Sequence, residues 1–341
     1  MKRHQYSAFL YSQYVKGFSL IELMVSLTIG LLISIAAFSA YLGVAGASKI
    51  TDAQGRMNED AQAALSILTQ QIRMAQNNPI QSNRTDQYRQ NPVYKPDPST
   101  TFVSSRSPSF FSIRGCDGTF DNIKTALSID DLNYLSCASL TSPLPDSIGI
   151  SYEADAFNTV PTAAEPPTPT DCLGSGLTAV TATLTTTTAG APSTDTVATY
   201  YVVDNRFYID KSAQTIPSLY CNGNGGTAGP QPLVENIENL QLRYGLVKLS
   251  TPVQEVKTAA VVGYLTADEV SKLTTVGNDP NPWSRVIAIR VCVVVRSEGL
   301  VLTDLASARY IKCDGNIENS PVDLRMRRAY STTVVLRNRR L

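Results

Sequence analysis

The chain of 341 residues is 43% hydrophobic and 17% charged, which is enough apolar material for a packed core and too much chain for one small module. Its 29 basic and 29 acidic residues cancel, and without a basic stripe along the folded part no nucleic-acid contact is expected. The single histidine, His4, excludes Ser-His-Asp or Cys-His catalysis and any His-ligated metal beyond the N-terminus, so neither enzyme, cofactor nor metal site is expected.

Lys2, Arg3 and Lys16 come first, with no acid among them. Positive charge before an apolar run holds that end in the cytoplasm, so everything after Val44 is expected outside it. Without residues 1–17 the chain keeps 26 basic against 29 acidic residues, a net charge of −3. The run itself, KGFSLIELMVSLTIGLLISIAAFSAYLGV over residues 16–44, has the length of a membrane span but carries Glu22 near its start. A carboxylate in a bilayer costs about 2.5 kcal/mol or more, so it requires a partner.

Three readings fit this segment. As a cleaved signal peptide it would be cut at Ala45-Gly46-Ala47, although the 22 apolar residues from Leu23 to Val44 exceed the roughly 7–15 of a signal core. As a plain signal anchor it would keep Glu22 at the interface, within reach of water. The third reading uses more of the residues. Lys16-Gly17-Phe18-Ser19-Leu20-Ile21-Glu22 resembles the processing site of type IV pilins and type II secretion pseudopilins. The resemblance implies a 17-residue leader, long for a major pilin. A prepilin peptidase would cut it between Gly17 and Phe18, and the new Phe18 amine would be methylated. It also implies a partner for Glu22, the fifth residue of the mature chain: the Phe18 amine of a neighbouring subunit. Pairing offsets part of the cost of placing both ions in hydrocarbon.

Residues 18–44 are expected to form the membrane and assembly half of one helix, and residues 45–78 its amphipathic half. In the latter Ile50, Ala53, Met57, Ala61, Ala64, Leu65, Leu68, Ile72 and Ala75 recur at three- and four-residue steps. Asn77-Asn78-Pro79 closes it. A helix from Phe18 to Gln76 would run about 88 Å at roughly 1.5 Å per residue. No proline interrupts it, leaving Gly30, Gly43 and Gly46 as the weaker candidates for a kink.

The remaining residues, 79–341, read as a β-rich head. Residues 79–115 are rich in Pro, Asn and Ser and suggest a long surface connection. SIGISYE (147–153) alternates as a strand does. The Thr/Pro-rich stretch 157–195 is read as an exposed irregular loop or edge hairpin, with O-glycosylation as the alternative. TVATYYVVD (196–204) and RFYID (206–210) suggest a hairpin about Asn205. LVENIENLQLRYGLV (233–247) begins ambiguously and then alternates Leu240, Leu242, Tyr244. Thr266 to Glu269 is a capping-box pattern opening a short helix to about Thr274, and GNDPNP (277–282) is a turn. In RVIAIRVCVVVR (285–296), Ile287, Ile289, Val291, Val293 and Val295 form one apolar face of a central strand, with Arg290, Cys292 and Arg296 opposite. The last strand places Tyr330, Thr332, Val334 and Leu336 on one face. Arg325, Arg327, Arg328, Arg337, Arg339 and Arg340 are read as solvated flanks, or as a patch for an acidic partner. Asp130, Asp131 and Asp279 are isolated turn acids.

Six cysteines without a C-x-x-C pair suit disulfides in an oxidising compartment. They allow 15 connectivities, and the expected one pairs neighbours: Cys116–Cys137, Cys172–Cys221 and Cys292–Cys313, each bracketing one loop.

LVENIENLQLRYG, RVIAIRVCVVVRS and YSTTVVLRNR are similar to stretches of minor pilins of the PilW type and, more distantly, of J-type pseudopilins. The resemblance implies an α+β type IV pilin fold: a long N-terminal spine packed on an antiparallel sheet. It implies a low-copy initiation or tip complex that primes pilus assembly, serving adhesion, twitching motility and DNA uptake. The implied partners are other minor pilins and the major pilin through the N-terminal helix, prepilin peptidase and a tip adhesin. The implied location is the bacterial inner membrane, then the fibre near its tip. A type II secretion pseudopilin is the alternative, and a membrane-tethered periplasmic enzyme a more distant one.

Overall fold

The computed structural model describes residues 17–75, 112–125, 135–138, 144–186, 194–211, 215–226, 229–247, 260–273 and 282–336. The chain divides into two units, Met1–Asp52 and Ala53–Leu341. The elements are α1 (Leu20–Met74), β1 (Ile113–Cys116), β2 (Ser147–Ala154), β3 (Ala179–Thr186), β4 (Thr194–Lys211), β5 (Pro217–Gly223), β6 (Gln231–Glu235), β7 (Ile237–Val247), β8 (Val261–Leu265), α2 (Ala267–Ser271), β9 (Val286–Arg296), β10 (Tyr310–Ile311), β11 (Ile317–Glu318) and β12 (Arg327–Val335). A long apolar N-terminal helix and a mostly antiparallel β head make this an α+β, pilin-like fold.

In the first unit the described structure is helical from Leu20 onward, and residues 17–44 are all exposed. Helix α1 is continuous from Leu20 to Met74, so Gly30, Gly43 and Gly46 do not interrupt it. In the second unit α1 buries Met57, Ala61, Ala64, Leu68 and Ile72, a stripe at the three- and four-residue steps that bring side chains to one helix face. Full burial of a Leu or Ile side chain stabilises by about 1.5–3 kcal/mol. The two alanines keep the stripe narrow enough for close packing.

That stripe shares one core with two sheets. The first sheet has the order β1-β2-β4-β5-β6, with β3 also on β4; the second has the order β12-β9-β7-β8. All the pairings are antiparallel. Ile148, Ile150, Phe207 and Leu219 come from the first sheet, and Leu240, Leu242, Ile289, Val291 and Val293 from the second. The chain passes between sheets at Asn236, which joins β6 to β7 with φ 62°. Asn tolerates that left-handed conformation better than most side chains. Asp146, just before β2, ties the sheets together again. Its N–H donates to the Leu240 carbonyl at 2.8 Å, and its Oδ2 accepts from the Leu242 N–H at 2.6 Å.

The structure departs from the sequence reading in three places. The expected hairpin about Asn205 is the middle of one continuous strand, β4. Asn205 donates to Gln71 Oε1 at 2.8 Å and accepts from the Cys172 N–H at 3.1 Å, so its amide is satisfied by tertiary partners and not by a turn. Of the two forms read for the Thr-rich segment the edge hairpin is present, with residues 179–186 forming β3 as the outer antiparallel partner of β4. Residues 113–116, assigned to a surface connection, form edge strand β1. Ile287 leaves the main core and Val286 joins it, because a register shift opposite Gly245 and Leu246 reverses the alternation there. The capping box is present, with Glu269 N–H donating to Thr266 Oγ1 and Thr266 N–H to Glu269 Oε2. Asp130, Asp131, Asp279 and residues 277–281 lie outside the described residues.

Candidate functional site: the N-terminal junction and the apolar helix

Residues 17–19 lie before the helix, and Phe18 is 88% exposed. An exposed, non-helical peptide bond is open to a protease. Three residues after Ser19, Glu22 accepts the Ser19 N–H on Oε2 at 2.9 Å. This is half of a capping box, and it satisfies one backbone donor left over at the helix start. The other oxygen, Oε1, has no hydrogen bond among the described residues. Glu22 is the only Asp, Glu, Lys or Arg between Leu20 and Ala47.

Apart from the Tyr41 phenol, the other polar side chains in this stretch are Ser and Thr hydroxyls, and each of these bonds a carbonyl within the helix. Ser26 Oγ donates to the Glu22 carbonyl at 2.7 Å and Thr28 Oγ1 to Val25 at 2.8 Å. Ser34 Oγ donates to Gly30 at 2.8 Å and Ser39 Oγ to Ala36 at 2.9 Å. A polar group facing hydrocarbon must be satisfied internally, and these bonds achieve that. Ser26, Gly30 and Ser34 recur every four residues, a spacing of small side chains that lets helix backbones approach closely. The sequence reading missed both features, because a hydroxyl's partner depends on its rotamer. One helix in the described residues is long and apolar enough to cross a membrane, with mean hydropathy 2.2 in its apolar window.

The head is fixed covalently. Cys116–Cys137, Cys172–Cys221 and Cys292–Cys313 are disulfides with Cα–Cα distances of 5.5, 6.5 and 5.8 Å. The C-terminal arginines divide by environment. Arg327 is buried; its Nη2 donates to Glu238 Oε1 at 3.0 Å and its Nη1 to Asp323 Oδ1 at 2.7 Å. Arg325 donates to the Ser297 carbonyl at 3.0 Å. Burial works against the charge on both Arg327 and Asp323. Hydrogen bonds with Glu238 and Asp323 still raise Arg327, and those from Arg327 and the Arg325 N–H lower Asp323. These two arginines are structural. Arg328 lies over the Tyr330 ring, and Arg337, Arg339 and Arg340 lie outside the described residues.

Residues 13–38 match the Prokaryotic N-terminal methylation motif, and residues 206–338 match PilW, Type IV Pilus-assembly protein W. Together the two matches support a type IV pilin of the PilW type. No curated protein and no solved structure matches it. The PilW match begins inside β4 and takes in all of the second sheet and the β10–β11 hairpin, and the methylation match takes in Gly17, Phe18 and Glu22. Both matches indicate a structural pilin rather than an enzyme, anchored in a membrane and interacting with other pilus components.

Proposed function

We propose that this PilW-type chain is a minor pilin. Prepilin peptidase removes residues 1–17 and Phe18 is methylated. The chain is held in the inner membrane, N-terminus in the cytoplasm and head in the periplasm, by residues 18–44. Residues 45–78 carry the head, 79–341. It is then built in low copy into an initiation or tip complex with other minor pilins, the major pilin and a tip adhesin.

One observation carries this reading. Glu22 is the only charged group in the apolar stretch 20–47 of the helix, and among the described residues it keeps one oxygen open four residues from the proposed new amine. Cleavage creates a cation at Phe18. Each ion is costly in lipid by itself, and pairing the Glu22 of one subunit with the Phe18 amine of the next offsets part of both costs. Such a pair specifies the axial register of adjacent helices more than it adds stability. A mature chain of 324 residues carries a head too bulky to repeat at every step of a thin fibre, which favours low copy number. A subunit with its own Glu22 has use for a neighbour's amine, which favours a place other than the outermost. A J-type pseudopilin would share these N-terminal residues; the PilW match over residues 206–338 favours the pilus.

Mass spectrometry of the native N-terminus and immunoblots of sheared pili test the reading together. The expected chain begins at N-methyl-Phe18. Glu22→Ala is expected to leave membrane levels and processing intact and to deplete the chain from the pilus fraction. A mature chain beginning at Ser48, or normal incorporation of the Ala variant, would overturn it.

A further inference from the structure

The outer face of the second sheet, opposite the core, has its arginines ion-paired at only one end among the described residues. There Arg296, Arg325 and Arg327 face Glu238 and Asp323. At the other end Arg243 of β7 and Arg290 of β9 are cross-strand partners. Like charges directly opposite in a sheet repel, yet among the described residues neither side chain has an ion pair or a hydrogen bond. Asp146, whose charge acts on Arg243, accepts the Leu242 N–H instead of a guanidinium hydrogen bond.

This end of the face is also built to hold its shape. The Tyr264 ring carries the Arg290 guanidinium, 4.5 Å from its centroid. Gly245 leaves room for the ring: a Cβ there would lie 3.0 Å from Tyr264 Cε1 and 3.3 Å from the Ala288 Cβ. The two arginines, Gln241, the Cys292–Cys313 disulfide and Asp314 line one shallow groove. Asp314 is engaged by its own turn, accepting from Asn316 N–H at 2.9 Å and Asn316 Nδ2 at 3.0 Å.

We propose that the Arg243–Arg290 groove is a docking site for an exposed Asp or Glu side chain of another pilin subunit. Two guanidinium forks match the planar, two-oxygen geometry of a carboxylate. The lining sums to a single positive charge, which one carboxylate neutralises, whereas a polyanion such as nucleic acid would meet Asp314. A small groove on a sheet face suits a single side chain presented by another protein surface. The site deepens the minor-pilin reading and rests on it.

The test uses the full-length chain in cells that make pili. Arg243→Gln removes the like-charge repulsion without touching the Arg290–Tyr264 stack. It is expected to leave the melting temperature of the detergent-solubilised chain unchanged or higher, while incorporation into sheared pili falls at least fivefold. Arg243→Glu with Arg290→Glu is expected to abolish incorporation with all three disulfides formed on a non-reducing gel, and the double Lys variant to retain most of it. A photo-crosslinker at Thr333, the exposed neighbour of Arg290 on β12, is expected to capture a pilin through a segment containing Asp or Glu. A charge-reversal mutation in that segment should rescue the double Glu variant. Undiminished incorporation of a correctly folded double Glu variant would overturn the proposal, as would a crosslink to nucleic acid or polysaccharide, or none at all. Absence of the wild-type chain from the pilus fraction would instead overturn the minor-pilin reading, which separates the two failures.

Discussion

Asp146→Asn probes the junction of the two sheets and carries a signed pH dependence. Asp146 is buried, and burial is the main cause of its displacement from the ordinary 3.8 to about 7. The Leu242 N–H and Arg243 pull it down, and Asp117 pushes it up. Below about pH 4 the folded and unfolded chains both hold the proton. Between about pH 4 and 7 the unfolded chain loses it and the folded chain keeps it, so stability declines as pH rises and levels off above 7. One pH unit of displacement corresponds to about 1.36 kcal/mol, so the full decline is about 4 kcal/mol. An Asn at this position still accepts the Leu242 N–H but cannot ionise. The expected result is near-equal stability at pH 4 and an advantage of up to about 4 kcal/mol for the variant at pH 8. Urea unfolding of the detergent-solubilised chain, followed by fluorescence, reads this directly, because Trp283 is the sole tryptophan and packs edge-on to Tyr244 at 4.8 Å. Parallel pH profiles for the two proteins, or a variant weaker at every pH, would refute the reasoning.

Replacing Cys172 and Cys221 together by Ala opens a loop of 49 residues, for which chain entropy gives about 4 kcal/mol; the same change at Cys292 and Cys313 should cost about 3.4 kcal/mol. Thermal unfolding of the two pairs should keep that order. Gly115→Ala would drive a Cβ into the hydroxyl of buried Tyr244, and overpacking of this kind costs about 1–3 kcal/mol; a lower melting temperature checks it. In the same assay Leu68→Ala, at the centre of the α1 stripe, should cost about 2–5 kcal/mol.

The parts that were legible are those in which one physical requirement dominates the local sequence. Helix α1 repeats its apolar residues with the helical period, and β9 carries a core face along most of its length. The N-terminal methylation motif is a local pattern, and its match over residues 13–38 takes in Gly17, Phe18 and Glu22. Other elements depend on distant partners. Asn205 reads as a turn residue until Gln71 and Cys172 come within reach. β1 is four residues long, and one of them is a glycine that clears space for Tyr244. β3 alternates Thr with Ala, Val and Leu, and Thr is a strand former whose abundance here also resembles loop composition. Arg327 stands in a basic run, but its role was set by Glu238, 89 residues away. The Arg243–Arg290 pair likewise needed the β7–β9 register.

The four inward-bonded hydroxyls of α1 have a consequence for traffic between compartments. Acyl chains and leucine side chains are about equally apolar, and none of these four donors has to re-pair when one environment replaces the other. Sliding the helix out of lipid into a column of like helices, or back again, therefore breaks none of these hydrogen bonds. Under the pairing proposed above, the single carboxylate would supply the detent at which such a near-frictionless slide stops.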